Sequence, residues 1–292
     1  MTSLRSSLVP VATILAILVV GWYGLAIAMN APFQRDMNQR GNATPGVLEF
    51  IGQTLSQPKP ITPAPHQVAQ NVFENTVLRR VTSNRSLVYH SAVTLASTLL
   101  GFAFGTLLGI LIAVGIVHVL ALDRSLMPWI IASQTIPILA VAPMIIVVLA
   151  AVGVTGLLPK ALISTYLSFF PVAVGMVKGL RSPEIMHLDL MHTYNASRSQ
   201  IFWKLRAPAS VPYLFASMKV AIAASLVGAI VGELPTGAAA GIGARLLNAS
   251  YYSNTIDLWA ALVAGSIVAL LLVGAVGLVA RLVERGMGAR PA

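Results

Sequence analysis

The sequence predicts an all-α integral membrane protein with about six transmembrane helices. Of its 292 residues, 57% are hydrophobic and only 10% are charged, whereas an average soluble domain has about 25% charged residues. A helix needs about 20 apolar residues to cross the hydrocarbon core of a bilayer. Runs of this kind cover residues 9–29, 88–118, 127–150, 156–178, 212–232 and 257–281.

The charge and the cysteine content exclude several classes of function. The formal net charge of +10 would indicate a nucleic-acid partner in a soluble chain. In a membrane protein, lysine and arginine instead collect in cytoplasmic loops and at lipid headgroups, so we expect the lipid bilayer as a partner and no nucleic acid. The chain has no cysteine, which excludes a disulfide framework and a Cys-ligated zinc site.

The distribution of basic residues predicts the orientation in the membrane, because cytoplasmic loops carry an excess of lysine and arginine. With the N-terminus inside, the short outer loops hold only Lys160 and Arg245. The inner loops and span ends then hold Arg5, Arg124, Lys178, Arg181, Arg198, Lys204, Arg206, Lys219, Arg281, Arg285 and Arg290. We therefore predict that both termini are cytoplasmic and that residues 285–292 form a short cytoplasmic tail.

Residues 1–86 are predicted to form the first transmembrane helix and a long outer loop. Arg5 before an apolar run, with AIA at 26–28, also resembles a secretory signal, but the apolar length favours a retained helix. In the loop, the prolines of PKPITPAPH at 58–66 predict extended backbone. The next segment, HQVAQNVFENTVLRRV, predicts a short amphipathic helix at the outer headgroups or an ordinary connector.

Glycines spaced by four residues predict close helix packing in two spans. Gly101, Gly105 and Gly109 share one face of the second span, and Gly228 and Gly232 repeat the spacing in the fifth. Missing side chains let another helix approach closely. We expect these glycines to pack within the chain, with a subunit interface as the alternative.

The third span, SQTIPILAVAPMIIVV, predicts a kinked helix. Pro137 and Pro143 each remove a backbone donor, and Gln134 and Thr135 bring polar side chains to membrane depth. Gln134, Thr135 and Pro137 are therefore candidates for the lining of a solute path. The alternative is that the polar side chains bond the carbonyl groups that the prolines leave free.

Acidic residues are nearly absent from the spans. Glu233 and Asp257 both fall at the predicted outer ends of spans, and a carrier driven by protons or sodium usually has more carboxylates at membrane depth. Glu233 is predicted either to contact solute at the outer mouth or to cap a turn.

No catalytic chemistry is predicted for this chain. The five histidines show no metal-binding spacing, and no G-x-S-x-G nucleophile motif occurs. The G-x-x-x-x-G-K-[ST] motif of ATP-binding P-loops is also missing from the sequence. We expect no catalytic residue, metal or cofactor in this chain, so that any ATP-driven step belongs to another polypeptide.

Residues 189–215, DLMHTYNASRSQIFWKLRAPASVPYLF, predict two short helices joined at YNAS, where Asn195 tolerates the left-handed conformation of a tight turn. The basic residues of this segment would each cost about 2.5–3.5 kcal/mol at mid-bilayer, which excludes a seventh span. We predict that Tyr194, Ile201, Phe202 and Trp203 are exposed. Exposed aromatic residues beside basic ones are typical of a protein-docking surface, although aromatic residues also rest at the headgroup level.

The same segment, extended to DLMHTYNASRSQIFWKLRAPASVPYLFASMKVAIA, resembles the cytoplasmic EAA loop of binding-protein-dependent ABC importer permeases. In this resemblance Asp189 stands at the family's glutamate, Leu190 and Met191 at its two alanines, Asn195 at its glycine and Pro208 at its proline. The acid is thus shortened, both alanines are enlarged and the glycine is replaced. The resemblance assigns contact with an ATPase to Asp189, Tyr194, Asn195, Ala196, Ser197, Arg198, Phe202, Trp203 and Pro208.

The likeness extends over residues 87–281, through SAVTLASTLLGFAFGTLLG, LDRSLMPWIIASQTIPILAVAPMIIVV and LVGAIVGEL, which look like nitrate, sulfonate and taurine-type permeases. It implies a type I ABC importer-like transmembrane domain over residues 87–284, in the inner membrane of a bacterium. It also implies a second permease copy in a homodimer, a cytoplasmic ATPase that binds ATP and magnesium, and an extracytoplasmic solute-binding protein. GELPTGAAAGIGARLL followed by SYYSNT looks closest to members associated with pyrimidine-like or thiamine-precursor uptake.

These observations predict the permease subunit of an ATP-driven importer for a small organic solute or anion. The alternative is a self-contained secondary transporter or channel, which would transport without an ATPase and would line the mid-membrane with charged residues. A third hypothesis, a membrane scaffold, leaves the polar third span and the paired cytoplasmic helices without a joint purpose.

Overall fold

The computed structural model describes residues 2–235 and 240–287, with side chains from residue 9 onward. All regular elements of this part of the chain are helices. They are α1 Thr2–Arg40, α2 Val47–Leu55, α3 Pro65–Phe73, α4 Leu87–His118, α5 Leu120–Ser133, α6 Ile138–Ala151, α7 Leu157–Leu180, α8 Ile185–Thr193, α9 Arg198–Ile201, α10 Ala207–Glu233, α11 Ile242–Tyr251 and α12 Thr255–Gly286. Short π-helical turns follow α3 at Glu74–Leu78 and α9 at Phe202–Arg206.

The predicted number of membrane spans is confirmed. Five of the described helices are long and apolar enough to cross a bilayer, and the bent pair α5 and α6 passes the same test together as a sixth. Most of the predicted span ends fall near the observed helix ends, but α1 continues to Arg40, well beyond residue 29. Arg290 and the rest of residues 288–292 of the predicted tail lie outside the described residues.

The chain forms two compact units, of which the first comprises residues 1–89 and 245–264. Here α1 extends past the predicted end because its polar residues bind the following loop. The buried Asn30 side chain donates to the Thr62 carbonyl at 2.8 Å and accepts from the Ile61 N–H at 2.8 Å, and the Trp22 indole donates to the Pro63 carbonyl at 3.0 Å. Residues 58–64 of the proline-rich segment are non-helical, as predicted, whereas Pro65 and His66 already belong to α3. The Asn30 and Trp22 side chains satisfy backbone groups of residues 61–63.

The amphipathic helix predicted after this segment is present as α3 and the π-helical turn that follows it. Val68 is buried, and Val72 packs against a small apolar cluster of the same unit, formed by Leu87, Ala260 and Ala264. Phe73 and Val77 are exposed. The inner face of the helix therefore packs on protein within this unit, and only its outer face is available to solvent or lipid.

The second unit comprises residues 90–244 and 265–292, and within its described residues α4 and α10 pack closely on α7. A Cβ atom added at Gly101, Gly105 or Gly109 of α4 would lie between 2.0 and 2.8 Å from an atom of α7. A Cβ added at Gly228 or Gly232 of α10 would lie 2.8 or 3.2 Å from α7. Because real Cβ atoms need more room than this, the five glycines set the approach of both helices, within one chain.

The third span departs from the sequence prediction. A single kinked helix over residues 127–150 is wrong, because α5 and α6 are separate helices that meet at an angle of 99°. Each has 14 residues and is therefore about 21 Å long at 1.5 Å per residue, too short to span alone. Pro137 disfavours the α conformation in the residue before it and has extended backbone itself, with φ −70° and ψ 105°. Pro143 lies inside α6.

Candidate functional site

The segment from α8 to the start of α10 forms a tight helical hairpin. Asn195 has a left-handed backbone with φ +52°, as the sequence predicts. The Asn195 N–H donates to the His192 carbonyl at 2.9 Å, and the Ala196 N–H donates to the Met191 carbonyl at 3.0 Å. This bonding pattern is a Schellman motif, which satisfies the free carbonyl groups at the end of α8.

The second helix of the hairpin starts with an equally well-defined cap. The Gln200 N–H donates to the Ser197 hydroxyl at 3.3 Å, and the Ser197 N–H donates to the Gln200 side-chain oxygen at 2.8 Å. This reciprocal capping box fixes the direction in which α9 leaves the turn. The chain then passes through the π-helical turn into α10, with Pro208 in the first turn of that helix, where the missing N–H costs nothing.

Two of the four residues predicted to be exposed on this hairpin are exposed. Tyr194 and Trp203 are 78% and 69% exposed. For Ile201 and Phe202 the prediction is wrong: Ile201 is 7% exposed, and the half-buried Phe202 ring lies 5.0 Å from that of His118 at the end of α4. Both side chains lie on the inner face of the helical turn. The residue types alone do not show which face of such a short helix is buried.

We name the outer face of this hairpin the coupling surface, made up of Asp189, Tyr194, Asn195, Ser197, Arg198, Trp203, Lys204 and Pro208, all of which are exposed. Arg198 and Lys204 make no ion pair among the residues that the structure describes. Ala196 of the turn is half-buried. The surface therefore combines two free cations with two large aromatic side chains on a rigid turn.

A cavity of about 260 Å³ lies behind the coupling surface. Its lining includes Arg198, Arg206, His118 and His192 and contains no acidic side chain. The sequence analysis did not single out the two histidines, because His118 ends α4 and reaches the hairpin only through the tertiary fold. This basic cavity adds positive charge to the face that presents Tyr194 and Trp203.

The break between α5 and α6 holds three of the four residues predicted for a solute path, Gln134, Thr135 and Pro137, and all three are exposed on this chain. The Gln134 amide donates to the Ser133 hydroxyl at 3.3 Å. The Thr135 hydroxyl donates to the Ala132 carbonyl at 2.8 Å. Such local bonds satisfy the end of α5, while Pro137 turns the chain into α6. A role in the solute path remains a prediction for these residues.

Glu233, at the end of α10, is completely buried. The Gly243 N–H donates to its carboxyl group at 2.8 Å, and the Thr94 hydroxyl of α4 lies 2.9 and 3.0 Å from its two oxygens. Thr94 also accepts from the Ile242 N–H at 2.8 Å. The carboxyl group thus binds the start of α11 to α4, and its oxygens face protein groups rather than solvent.

The chain around this carboxyl group leaves no space for another side chain. Gly241 has φ +133°, and a Cβ there would lie 2.2 Å from the carboxyl carbon of Glu233. The Gly241 N–H donates to His90 Nδ1 at 3.0 Å. The sequence gives no sign that Thr94 bonds to Glu233, since 139 residues separate the two, and no sign that His90 accepts the Gly241 N–H. Residues 236–239 of GELPTGAAAG lie outside the described residues.

Comparison with known proteins identifies the family of this chain. A family model described as the binding-protein-dependent transport system inner membrane component matches residues 105–289. This chain belongs to that family. It is the permease subunit of an ABC importer and a multi-pass membrane protein, and permeases of this family function with an ATPase and a solute-binding protein.

The relatives agree with this assignment. The chain is 30% identical over 221 residues to a probable ABC transporter permease protein of Haemophilus influenzae, covering 74% of this chain and 85% of that protein. It is 31% identical to the riboflavin transport system permease protein RibX of Chloroflexus aurantiacus, over 80% and 84% of the two chains. It is 29% identical to the formylaminopyrimidine transport permease protein ThiX of Halalkalibacterium halodurans, over 64% and 70%. More distant matches named for nitrate and aliphatic sulfonates confirm the predicted subfamily.

Proposed function

We propose that two copies of this chain form the translocation path of the importer and that the coupling surface transmits ATPase closure to the membrane helices. ATP and magnesium then bind to the ATPase subunits, and this chain holds neither. The observation that carries the proposal is the capped hairpin with exposed Tyr194 and Trp203. Large aromatic side chains on a rigid element are typical anchors of protein interfaces, and they lose little conformational entropy on docking.

This geometry supports a mechanism in which movement of the hairpin is transmitted directly to α10. The π-helical turn joins α9 to α10 without a loop, so a displacement of the coupling surface moves the start of α10. Because Gly228 and Gly232 lie closely against α7, that movement passes to a second membrane helix. Nucleotide binding would bias such a two-state element and give alternating access.

The proposed orientation places both termini and the coupling surface in the cytoplasm. Its support is the excess of basic residues on that side. The absence of cysteine from the sequence makes a direct test simple. A single cysteine in place of the exposed Ser199 of α9 should react with a membrane-impermeant maleimide in inverted membrane vesicles and not in intact cells. Reaction in intact cells would reverse the orientation.

For the solute we propose a small nitrogen heterocycle of the pyrimidine or riboflavin type. The two relatives named for such compounds are 29% and 31% identical to this chain, whereas those named for nitrate and aliphatic sulfonates are 27% and 24% identical. Uptake of a labelled pyrimidine by the complete system, competed by riboflavin and by nitrate in separate arms, tests the choice. Competition by nitrate alone would contradict it.

The docking proposal is tested by purifying the complete transporter in detergent. Tyr194→Ala combined with Trp203→Ala removes two exposed side chains without disturbing the turn, so the variant should remain monodisperse and lose the ATPase. The matched control is Tyr251→Ala with Tyr252→Ala, two tyrosines that are 76% and 77% exposed outside the hairpin. The control should retain the ATPase. Retention of the ATPase by the hairpin variant would overturn the proposed coupling surface.

A further inference from the structure

A second basic cavity lies between α10 and α12, within the second unit. It has a volume of about 330 Å³ and is lined by Lys219 of α10 and by Val273, Gly274, Gly277, Leu278 and Arg281 of α12. The two helices are antiparallel: Gly277 lies beside Lys219, while Gly265, twelve residues earlier in α12, lies beside Ile230. Arg281, close to the end of α12, therefore lies towards the start of α10, and Lys219 lies near the middle of α10.

The cavity depends on glycine. The Lys219 Cε atom lies 3.6 Å from the position that a Cβ of Gly277 would occupy, so the aliphatic stem of the lysine runs across this glycine. Gly274, one turn away, has open space at its Cβ position. Lysine stems commonly pack along apolar surface in this way while the ammonium group reaches a polar region.

The two cations of the cavity have no anionic partner in the described part of the chain. Neither Lys219 nor Arg281 forms an ion pair there. Glu233, the single acidic residue of α10, is buried and bonds to Gly243 and Thr94. Glu284 of α12 follows Arg281 by three residues but makes no ion pair with it. Charged residues within membrane helices usually pair, so two unpaired cations at one cavity indicate an anionic ligand from outside the chain.

We propose that this cavity binds the phosphate headgroup of an anionic phospholipid. Basic pockets between transmembrane helices on the cytoplasmic side are suited to such headgroups, and the orientation proposed above places the Arg281 end of the cavity on that side. Its volume is ample for a phosphate group, since a water molecule occupies about 30 Å³ in the liquid. Half-buried Val273 and exposed Leu278 offer apolar contacts to acyl chains, which a free phosphate ion would not use.

The test is native mass spectrometry of the purified protein, titrated with phosphatidylglycerol and, separately, with phosphatidylcholine. Lys219→Gln combined with Arg281→Gln should weaken phosphatidylglycerol binding by about 30-fold, the factor that corresponds to about 1 kcal/mol for each basic side chain. Phosphatidylcholine binding should change little. Arg124→Gln with Lys204→Gln, two exposed cations remote from the cavity in sequence and outside its lining, removes the same charge and should leave phosphatidylglycerol binding unchanged.

Gly274→Leu supplies a variant that leaves the charge intact and adds a side chain to the lining of the cavity, at a position where a Cβ atom meets open space. It should also weaken phosphatidylglycerol binding. Equal retention of the two lipids by the wild type, or equal loss of phosphatidylglycerol in the control pair, would overturn the proposal. Displacement of the lipid by inorganic phosphate at millimolar concentration would show that the site takes free phosphate, which also overturns the lipid assignment.

Discussion

Removing the carboxyl group of Glu233 should destabilise the second unit. The side chain is fully buried, and it accepts the Gly243 N–H at 2.8 Å and faces the Thr94 hydroxyl at 2.9 Å. In Glu233→Ala the Gly243 N–H stays buried without its acceptor, which costs about 1–3 kcal/mol. The space left by the side chain adds a penalty of similar size, for a total of about 2–6 kcal/mol.

The assay is thermal unfolding in detergent followed by tryptophan fluorescence, for which the chain offers four tryptophans. With about 3 °C of Tm for each kcal/mol in a chain of this size, a loss of about 2–6 kcal/mol in Glu233→Ala should lower Tm by about 6–18 °C. Glu233→Gln keeps one oxygen acceptor, so its Tm should lie between those of the wild type and Glu233→Ala. Glu49→Ala, at an exposed site of α2, is the control and should melt like the wild type. If Glu233→Ala melts within the error of the wild type, the carboxyl group does not hold the start of α11.

Three further changes test the packing and the hairpin. Gly101→Ala places a Cβ 2.2 Å from a side-chain atom of α7 and should cost about 1–3 kcal/mol, seen as a lower Tm. Gly274→Ala meets open space and should not lower Tm. Equal Tm values for the two variants would contradict the close packing of α4 on α7. Asn195→Val puts a β-branched residue at φ +52° and should cost about 1–2 kcal/mol. Asn195→Gly should retain the wild-type Tm. A valine variant as stable as the wild type would contradict the left-handed backbone at residue 195. Phe202→Ala should lower Tm because the ring packs inward, and Trp203→Ala should not; the reverse order would restore the prediction that Phe202 is exposed.

The membrane spans were predictable because they depend on composition along the chain alone. Long apolar runs must be helical in lipid, where every backbone group needs an internal partner. The end of α1 was not predictable in the same way, since it depends on Asn30 binding residues 61 and 62 of the following loop. That contact is tertiary, and no local pattern around residue 30 records it.

The hairpin shows where local chemistry is sufficient and where it is not. Asn195 and the Ser197 cap specify the turn through bonds to residues no more than five positions away, and the sequence predicts this turn correctly. The burial of Phe202 depends on His118 at the end of α4, more than 80 residues earlier in the sequence. A short helix of this kind carries too few residues for its apolar face to be identified from periodicity.

The angle between α5 and α6 illustrates a third limit. Proline indicates that a membrane helix is interrupted. The bend of 99° between α5 and α6 is instead set by the packing of these two helices against neighbouring elements. The Tyr166 hydroxyl of α7 donates to the Ser133 carbonyl at the end of α5, a contact that identifies one such determinant. The sequence therefore indicated an interruption at Pro137 but did not distinguish it from Pro143, which lies inside α6, and it did not give the angle.

Solute uptake by reconstituted vesicles shows whether this chain imports solute only together with its ATPase. Vesicles containing this chain and its ATPase, supplied with the solute-binding protein and a labelled solute, should accumulate solute only when ATP reaches the ATPase. Tyr194→Ala with Trp203→Ala should abolish that accumulation, while Tyr251→Ala with Tyr252→Ala should preserve it. Downhill passage of solute through vesicles that contain this chain alone, at a rate that ATP and the ATPase do not change, would contradict the account and favour a self-contained carrier.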